Sequence, residues 1–318
     1  MGQEIIMNNF RVGHYSDLQR GTGCTVIICP EGTKASAYAR GVSPGTREYA
    51  LLSPFRKVEE IHGLLLTGGS AFGLDAAAGI MQYLYENRKG YLTTFGRIPI
   101  VPGAVIFDLP VGDSTAYPKP ENAYLACKNA ISHNKDQGTI GAGTGASVGK
   151  WAGLEYKMKG GIGIANIKNN NVWVNSLSVV NSVGDVVNRS GEIIAGAQKK
   201  GKFLGALDHK IYWKRPEVGL GENTVLVTIM TNAELQKINL HYIAERTHNG
   251  IVSAIKPAHT TFDGDIVFTL TTGGKTINLD ALAEMCIEAT RLSIINAVTY
   301  ATSINNVPSV KSLNPKNV

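Results

Sequence analysis

A junction between a polar stretch and an apolar run places Thr224 where it could act as a nucleophile. The segment GLGENTVLVTIMT passes from glycine, glutamate and asparagine into mostly apolar residues at Thr224. Its simplest interpretation is a linker followed by an ordinary strand. The alternative is a processing site, because a threonine hydroxyl can attack the carbonyl carbon of Asn223 and transfer the chain onto oxygen. Hydrolysis of that ester leaves Thr224 as a new N-terminus, whose α-amine can serve as the base for its own hydroxyl.

Two carboxylates separated by one glycine could support such a nucleophile. Asp263-Gly264-Asp265 begins the apolar run DIVFTLTT, and an ordinary turn would use the same residue types. A calcium-binding EF-hand is excluded, because the D-x-D-x-D-G spacing with its distant Glu is absent. Beside Thr224, the pair would hold the freed ammonium group and orient the hydroxyl. One carboxyl would have a raised pKa, since like charges at close range resist joint ionisation.

The Gly-rich segment GTIGAGTGASVGK, which ends at Lys150, fails the test for a phosphate-binding loop. A P-loop ending there requires Gly at position 144 and Ser or Thr at position 151, where this chain has Thr144 and Trp151. The spacing of a dinucleotide-binding G-x-G-x-x-G loop is also wrong. The segment is therefore either a plain turn or a loop that places Lys150 in a site. There its charge would offset carboxylates or stabilise an oxyanion.

Asn181 lies inside the apolar run VVNSVGDVV, and a buried amide requires hydrogen-bond partners. It could satisfy loop backbone, or its NH₂ group could stabilise an oxyanion. The seven histidines form no H-x-x-x-H or H-x-H group, so we expect no metal site. His248 and His259 lie near the Asp pair and are interpreted as core residues.

The composition excludes several classes of function. The 318 residues are 43% hydrophobic and 18% charged, which is typical of a globular chain with its own core. The net charge of +6 is spread thinly, without the clustered Lys and Arg of a nucleic-acid surface. We find neither a secretory leader nor an apolar window of about 18 residues, so we expect no membrane span. Four cysteines without a C-x-x-C pair favour free thiols and a cytoplasmic protein.

Strands and helices that alternate along the chain must position these groups. Residues 61–66 predict a buried strand, 67–70 a loop, and the Ala-rich segment of about 72–85 a helix. The segments KGGIGIANI and NVWVNSLSVVNSVGDVV predict two strands around a turn at 168–170. The polar, Lys-rich stretch 190–221 is interpreted as a mobile linker.

The C-terminal part of the chain continues the alternation. Residues 224–230 predict a strand, followed by a helix that is capped by Asn232 and ends at Asn249-Gly250. DIVFTLTTGG predicts another strand, and a last helix begins after Asn278 and ends near Ala301. The whole pattern indicates an α/β or α+β fold with mixed sheets.

Six segments, in this order along the chain, resemble one known family. They are LLLTGGSAFGLDAAAGIMQYL, IPIVPGAVIFDL, GAGTGASVGK, VVNSVGDVVNRSG, NTVLVTIMTNAEL and FDGDIVFTLTTG. Together they resemble the D-aminopeptidase/β-aminopeptidase family of self-cleaving N-terminal-nucleophile (Ntn) hydrolases, which includes the nylon-oligomer endohydrolases. The resemblance extends over nearly the whole chain.

The resemblance implies a four-layer αββα sandwich, similar to that of the Ntn hydrolases but with different connectivity. It implies a single domain, residues 1–318, that cuts itself into a long chain of residues 1–223 and a short chain of residues 224–318. Members cleave amide bonds in small peptides or peptide-like compounds, without a cofactor or a metal. They also assemble as homo-oligomers, of which the tetramer is our expectation for this chain.

The resemblance also assigns roles to individual residues. The spacing of 39 positions from Thr224 to Asp263 agrees with the nylon-hydrolase branch. The family nucleophile corresponds to Thr224, its lysine to Lys150, its asparagine to Asn181 and its acidic pair to Asp263 and Asp265.

On the substrate side, the loop that contains Gly68, Gly69 and Ser70 is expected to bind substrate and to offer backbone N–H groups to the oxyanion. Some relatives carry a tyrosine near the cleaved bond where this chain has Phe107. A phenolic donor is therefore missing here, which separates this chain from relatives that depend on it.

Two other functions stay open. An acyltransferase of the ornithine-acetyltransferase type also cleaves itself before a threonine, although this chain lacks the motifs of that group around the junction. An inactive binding protein could keep the same fold. The complete set of residues that the resemblance identifies argues against the second alternative, since drift would have broken the set.

Overall fold

Two β-sheets form the centre of the fold. A computed structural model describes residues 9–205 and 223–313. Numbered in chain order, the strands of the first sheet are β1 (Arg11–Asp17), β2 (Thr22–Ile28), β4 (Thr46–Arg47), β5 (Gly63–Thr67), β8 (Gly103–Val105) and β9 (Ile131–Ser132). Their order across the sheet is β4-β8-β5-β2-β1-β9. All neighbours are antiparallel except β5 and β8.

The second sheet contains the strand that begins with Thr224. Its strands are β3 (Lys34–Ala39), β12 (Gly161–Asn169), β13 (Val172–Asn181), β18 (Thr224–Ala233) and β20 (Ile266–Lys275), in the order β12-β13-β18-β20-β3. The central strand β18 pairs antiparallel with β13 and parallel with β20. The β13–β18 register places Thr224 directly opposite Asn181.

Short strands lie in the loops between the main elements. They are β6 (Tyr91–Thr93) with β7 (Gly96–Ile98), β10 (Ser147–Val148) with β11 (Met158–Lys159), β14 (Asp185–Val187) with β15 (Ile193–Ala195) and β19 (Ile255–Lys256), and β16 (Gln198–Lys199) with β17 (Lys202–Phe203). The α-helices of the described residues are α1 (Ala77–Glu86), α2 (Pro120–Lys128), α3 (Lys237–Ala254), α4 (Leu279–Thr299) and α5 (Val310–Leu313). Within these described ranges, no helix has the length and apolar character that a membrane span requires.

The alternation of side chains along the strands creates four layers. On β5, Leu64 and Leu66 point into the core between the two sheets, whereas Leu65 points into the core under α1 and α2. On β18, Leu226 joins the core between the sheets, whereas Val225 joins the core under α3 and α4. The layers are therefore helix, sheet, sheet and helix, and the expected αββα sandwich is confirmed.

The start of α4, the helix predicted to begin after Asn278, confirms a second prediction. The side chain of Asn278 accepts hydrogen bonds from the N–H groups of Asp280 and Ala281, both at 3.0 Å. These N–H groups have no partner inside the helix, and an Asn cap supplies one.

The helix after β18 begins and ends later than the sequence predicts. Asn232 does not cap it, because this residue still belongs to β18 and its side-chain oxygen accepts the N–H of Trp173 at 3.0 Å. Gly250 lies within α3 rather than after it. A Cβ at position 250 would come 2.6 Å from the carbonyl oxygen of Ile287. Glycine therefore serves the close packing of α3 on α4 and not helix termination.

Two further predictions need correction. Residues Ser70–Ala76 form a 3-10 helix, so the α-helix predicted from about residue 72 begins only at α1. The supposed linker 190–221 is structured over 190–205, where β15, β16 and β17 lie. Ala195 pairs with Val186 and is fully buried, which a mobile linker would not allow. Residues 206–221 of that prediction lie outside the described part of the chain.

The contact between α4 and β12 predicts a site that tolerates only glycine. A Cβ on Gly163 would overlap the backbone of Ser293 and Ala297 in α4, and backbone cannot move aside as a flexible side chain can. We expect Gly163→Ala to lower the free energy of unfolding by about 1–3 kcal/mol. Denaturant unfolding measures this change.

Gly63→Ala is the matched control, since Gly63 is also a buried strand glycine. Its added Cβ would meet only side-chain methyl groups and one carbonyl, at 3.1 Å or more. A Gly163→Ala midpoint equal to that of Gly63→Ala would contradict the proposed close approach of α4 to β12.

Candidate active site

The peptide bond between Asn223 and Thr224 lies at the start of β18 and is held on both sides. The hydroxyl of Thr224 donates to the carbonyl oxygen of Asn223 at 2.6 Å. The same oxygen accepts the N–H of Gly264, also at 2.6 Å, and the N–H of Asn223 donates to the carbonyl of Phe262 at 2.9 Å. Thr224 is only 4% exposed. A buried hydroxyl therefore lies beside a carbonyl that a backbone N–H already polarises.

Both carboxyls of the Asp263-Gly264-Asp265 turn are buried at this junction. Oδ2 of Asp263 accepts the N–H and the hydroxyl of Thr260, each at 2.7 Å. Oδ1 of Asp265 accepts the N–H of Val225 at 2.7 Å. Asp265 is therefore tied to the backbone after Thr224 and not to the Thr224 hydroxyl.

The ionisation of the acidic pair agrees with the expectation for two close carboxyls. Burial and the negative charge of Asp265 raise the pKa of Asp263 to about 6, against the opposing effects of Thr260 and Lys150. A carboxyl with this pKa changes its protonation state near neutral pH.

Lys150 and Asn181 form the opposite wall of the junction. Nζ of Lys150 donates to Oδ1 of Asn181 at 2.8 Å and approaches its backbone carbonyl at 3.3 Å. The NH₂ group of Asn181 donates to the carbonyl of Phe107 at 3.1 Å. The amide predicted as an oxyanion donor is thus bonded inside the protein, whereas the Gly264 N–H, which the sequence analysis missed, already contacts a carbonyl.

Lys150 is 3% exposed. Burial lowers the pKa of Lys150 well below its ordinary range, and the positive charges of Lys157 and Lys159 lower it further, while Asp263 and Asp108 act in the opposite direction. A lysine amine without its proton can act as a base.

The Gly-rich turn after β5 has a different arrangement from the predicted one. The N–H groups of Gly68 and Ser70 donate to the carbonyls of Gly23 and Ile106 at 2.9 and 3.1 Å, and the N–H of Gly69 donates to Oδ1 of Asp108 at 2.7 Å. All three N–H groups therefore have partners within the protein. The turn approaches the junction through Ser70, which lines the cavity described next.

A cavity of about 320 Å³ opens next to Thr224. Ser70 and Phe107 lie on its wall, as the sequence analysis expected for substrate-binding residues. Its other lining residues are Ser43, Pro44, Gly45, Ala71 and Val105. This volume suits a small ligand or one residue of a longer one.

A larger cavity, about 640 Å³, is lined by the loops around Cys29 and His62 and lies outside this group of residues. Among the described residues, its lining holds no Ser or Thr hydroxyl, and its one thiol is that of Cys29. Burial raises the pKa of that thiol, so a thiolate is disfavoured there. The smaller cavity beside Thr224 is therefore the better candidate for an active site.

Two buried charges that the sequence analysis missed support the loops of the site. Asp108 accepts the hydroxyl of Thr22 at 2.8 Å besides the N–H of Gly69, and burial raises its pKa to about 6. Lys159 donates to the carbonyls of Thr144 and Ala146 at 2.7 and 2.6 Å, and burial lowers its pKa to about 7. The available signal was Asp108 inside the apolar run VIFDL, whereas Lys159 only begins the run KGGIGIANI.

The structure brings together most of the predicted residues. Thr224, Asn223, Asn181, Lys150, Asp263, Asp265, Phe107 and Ser70 surround one junction, whereas Gly68 and Gly69 serve the turn behind it. Among residues 9–205 and 223–313 there is no group of three or more His, Cys, Asp or Glu side chains arranged to hold a metal ion.

Comparisons with known proteins agree on one family. The profile of peptidase family S58 matches residues 7–311. An uncharacterized aminopeptidase of Mycobacterium leprae (strain TN) is 35% identical, and the match covers 97% of this chain and 93% of the relative. A 6-aminohexanoate-oligomer endohydrolase of Paenarthrobacter ureafaciens is 31% identical, with coverage of 85% and 76%.

A solved structure supports the fold. The L-aminopeptidase D-Ala-esterase/amidase of Ochrobactrum anthropi, described as a variant of the Ntn-hydrolase fold, matches with a TM-score of 0.74. The match covers 97% of this chain and 90% of that one, at 16% sequence identity. The fold is therefore of the Ntn-hydrolase type.

The raised pKa of Asp263 predicts a pH-dependent stability. The native carboxyl holds its proton up to about pH 6, whereas an unfolded chain loses it near the ordinary value of 3.8. Unfolding releases a proton between these values, so the stability from this group falls as the pH rises through that window. The free energy of unfolding of Asp263→Asn minus that of wild type should therefore rise by about 2 kcal/mol from about pH 4 to about pH 7.

Urea unfolding at the two pH values measures the gain. Asp75→Asn, which removes an exposed carboxyl, is the control for the loss of one negative charge. A difference between Asp263→Asn and wild type that is the same at both pH values would contradict the raised pKa.

Proposed function

The chain belongs to peptidase family S58, and from this premise we propose that it is an amide hydrolase that cleaves itself at Asn223–Thr224 and then uses Thr224 as its nucleophile. One observation carries the proposal. The buried hydroxyl of Thr224 lies 2.6 Å from the carbonyl oxygen of the preceding residue, and the N–H of Gly264 polarises that carbonyl at the same distance.

Self-cleavage begins at this carbonyl. The Thr224 oxygen attacks the carbonyl carbon of Asn223, and the N–H of Gly264 stabilises the negative charge that develops on the oxygen. The C–N bond then breaks, and the proton from the hydroxyl ends on the released amine. Water hydrolyses the resulting ester, so that residues 1–223 end in a carboxylate and residues 224–318 begin with a free amine.

Lys150 is the group that moves this proton. Burial lowers its pKa well below the ordinary value and so favours the neutral amine. Its Nζ is bonded to Asn181, which the strand register places opposite Thr224. A neutral amine at this position accepts the hydroxyl proton and returns it to the departing nitrogen.

The same groups then act on a substrate. The α-amine of Thr224 becomes the base for its hydroxyl, and the nearby acidic pair stabilises that amine when it is protonated. Departure of Asn223 frees the Gly264 N–H for the oxyanion of a bound amide. Asn181 offers a second donor once its NH₂ group leaves the Phe107 carbonyl. Water hydrolyses the acyl-enzyme, and none of these steps uses a cofactor.

The two fragments stay together because β18 is the middle strand of its sheet. It keeps β13 on one side and β20 on the other, and its side chains enter both neighbouring cores. Cleavage at its first residue leaves these contacts intact. A homo-oligomer and a cytoplasmic location remain predictions from the sequence.

The cavity beside Thr224 and the named relatives indicate the substrate class. A space of about 320 Å³ accepts the acyl part of a small peptide or of a linear peptide-like amide. The relatives are an aminopeptidase and a 6-aminohexanoate-oligomer endohydrolase. We therefore propose small peptides and linear peptide-like amides as substrates. Product analysis with and without an added amine acceptor separates hydrolysis from acyl transfer.

Replacing the nucleophile tests the proposal directly. We expect wild type to give two fragments, the smaller beginning at Thr224, whereas Thr224→Ala stays one chain because no hydroxyl can attack Asn223. Denaturing mass spectrometry of the purified proteins measures this. Thr228→Ala, which removes a buried hydroxyl from the same strand, should cleave like wild type. A wild-type chain that stays intact would overturn self-processing.

Removing the amine of Lys150 tests the proton transfer. Lys150→Met keeps the length of the side chain but cannot accept a proton, and we expect self-cleavage to slow by about 100-fold or more. The fraction of cut chain, followed on gels after synthesis, measures the rate. Lys168→Met, at an exposed lysine near the far end of β12, is the control. Cleavage of Lys150→Met at the wild-type rate would exclude this role.

A further inference from the structure

His259 is a largely buried titratable residue that the proposed reaction does not use. It lies in the loop between β19 and β20, with 10% of its side chain exposed. Its backbone is left-handed, with φ at 53°. Glycine and asparagine adopt this conformation more readily than histidine, so the conformation carries an energetic cost. Contacts of the side chain have to offset this cost.

The contact that the imidazole makes is with Asp265. Nδ1 of His259 lies 2.7 Å from Oδ2 of the carboxylate. A carboxylate oxygen accepts, so Nδ1 carries the hydrogen. The other oxygen, Oδ1, accepts the N–H of Val225 at 2.7 Å. The carboxylate is thus held from both sides, by the imidazole and by the backbone of β18.

This bridge reaches the backbone of Thr224. The carbonyl of Thr224 and the N–H of Val225 belong to one planar peptide group. Asp265 therefore fixes the peptide group that follows Thr224, while Gly264 fixes the one that precedes it. His259 is the side chain that holds Asp265 in the orientation this requires.

Asp263 and Asp265 differ in the groups that surround their carboxyls. Asp263 faces Lys150 and accepts two hydrogen bonds from Thr260, yet its pKa is raised to about 6 by burial and by the charge of Asp265. Asp265 instead receives the imidazole N–H and a backbone N–H. The two carboxyls are therefore held by different donors.

On its other face, His259 packs against α3. The ring of His248 lies 4.9 Å away, measured between centroids, at an angle of 61°. Burial lowers the pKa of His248 to about 4, and Arg40 also disfavours its charged form. His248 is therefore uncharged at neutral pH, and it does not compete with His259 for Asp265.

We propose that His259 is a positioning residue: its imidazole N–H holds the Asp265 side chain directed at the N–H of Val225 and so fixes the peptide group that follows Thr224. The inference rests on the proposed function of Thr224. It assigns to the imidazole a part in both self-cleavage and substrate hydrolysis, through the orientation of the nucleophile.

Three variants separate this role from packing. His259→Ala removes the donor. His259→Asn keeps an N–H donor close to the position of Nδ1 and suits the left-handed backbone. His133→Ala is the matched control, because His133 is also a histidine with a left-handed backbone, at φ 60°, on an exposed loop.

Self-cleavage is the readout, since it needs no substrate. Chains labelled in a short cell-free synthesis are transferred to a buffer near neutral pH. Conversion into two fragments is then followed on denaturing gels. We expect His259→Ala to cleave about 10- to 100-fold more slowly, as for loss of a hydrogen bond to a charged group.

Rescue by the conservative variant carries the specific signature. His259→Asn retains a hydrogen-bond donor to Asp265 and should cleave within about threefold of wild type. His133→Ala should cleave at the wild-type rate.

Each other outcome overturns a defined statement. A wild-type rate in His259→Ala would overturn the positioning role alone. A rate of His259→Asn equal to that of His259→Ala would show that the ring acts through packing, which also overturns it. An uncut wild-type chain would overturn the proposed function and this inference together.

Discussion

The geometry of the site depends on the short contact between the N–H of Gly264 and the carbonyl oxygen of Asn223. This contact joins the turn before β20 to the residue before β18, two neighbouring parallel strands of the second sheet. It forms only because the β18–β20 register brings both strand beginnings to the same edge. The hydroxyl of Thr224 then has little freedom, since its strand is fixed by β13 and β20.

Burial of charge is the second constraint, and it follows from the first. The carboxyls of Asp108, Asp263 and Asp265 and the amines of Lys150 and Lys159 are each at most 3% exposed. A charge that leaves water must find partners or change its protonation state. Here both happen, because carbonyls and N–H groups surround these side chains while the pKa values of Lys150, Lys159, Asp108 and Asp263 move toward neutrality. Proton transfer near neutral pH becomes possible as a result.

Local chemistry explains which elements could be predicted. Strand alternation and the Asn278 cap depend on neighbours within a few residues, so the strands at 61–66 and 224–230 and the start of α4 follow from sequence. The ends of α3 could not be predicted in this way. The side chain of Asn232 accepts the N–H of Trp173 in β13 instead of capping α3. Gly250 allows close packing of α3 on α4, because the carbonyl of Ile287 lies against it. Both partners are distant in sequence.

For the site, the sequence by itself determined which residue types are available: a threonine at a strand start, a lysine in a Gly-rich loop, an amide and two close carboxyls, in an order that resembles one family. Only the tertiary structure decided what each of them touches. In the folded chain the N–H of Gly264, and not an N–H of the 67–70 loop, donates to the Asn223 carbonyl. The carboxylate of Asp265 accepts hydrogen bonds from Val225 and His259. The physical reason is that a hydrogen bond depends on a few tenths of an ångström and on direction. Strand register and loop packing set those quantities, and residue type and spacing do not.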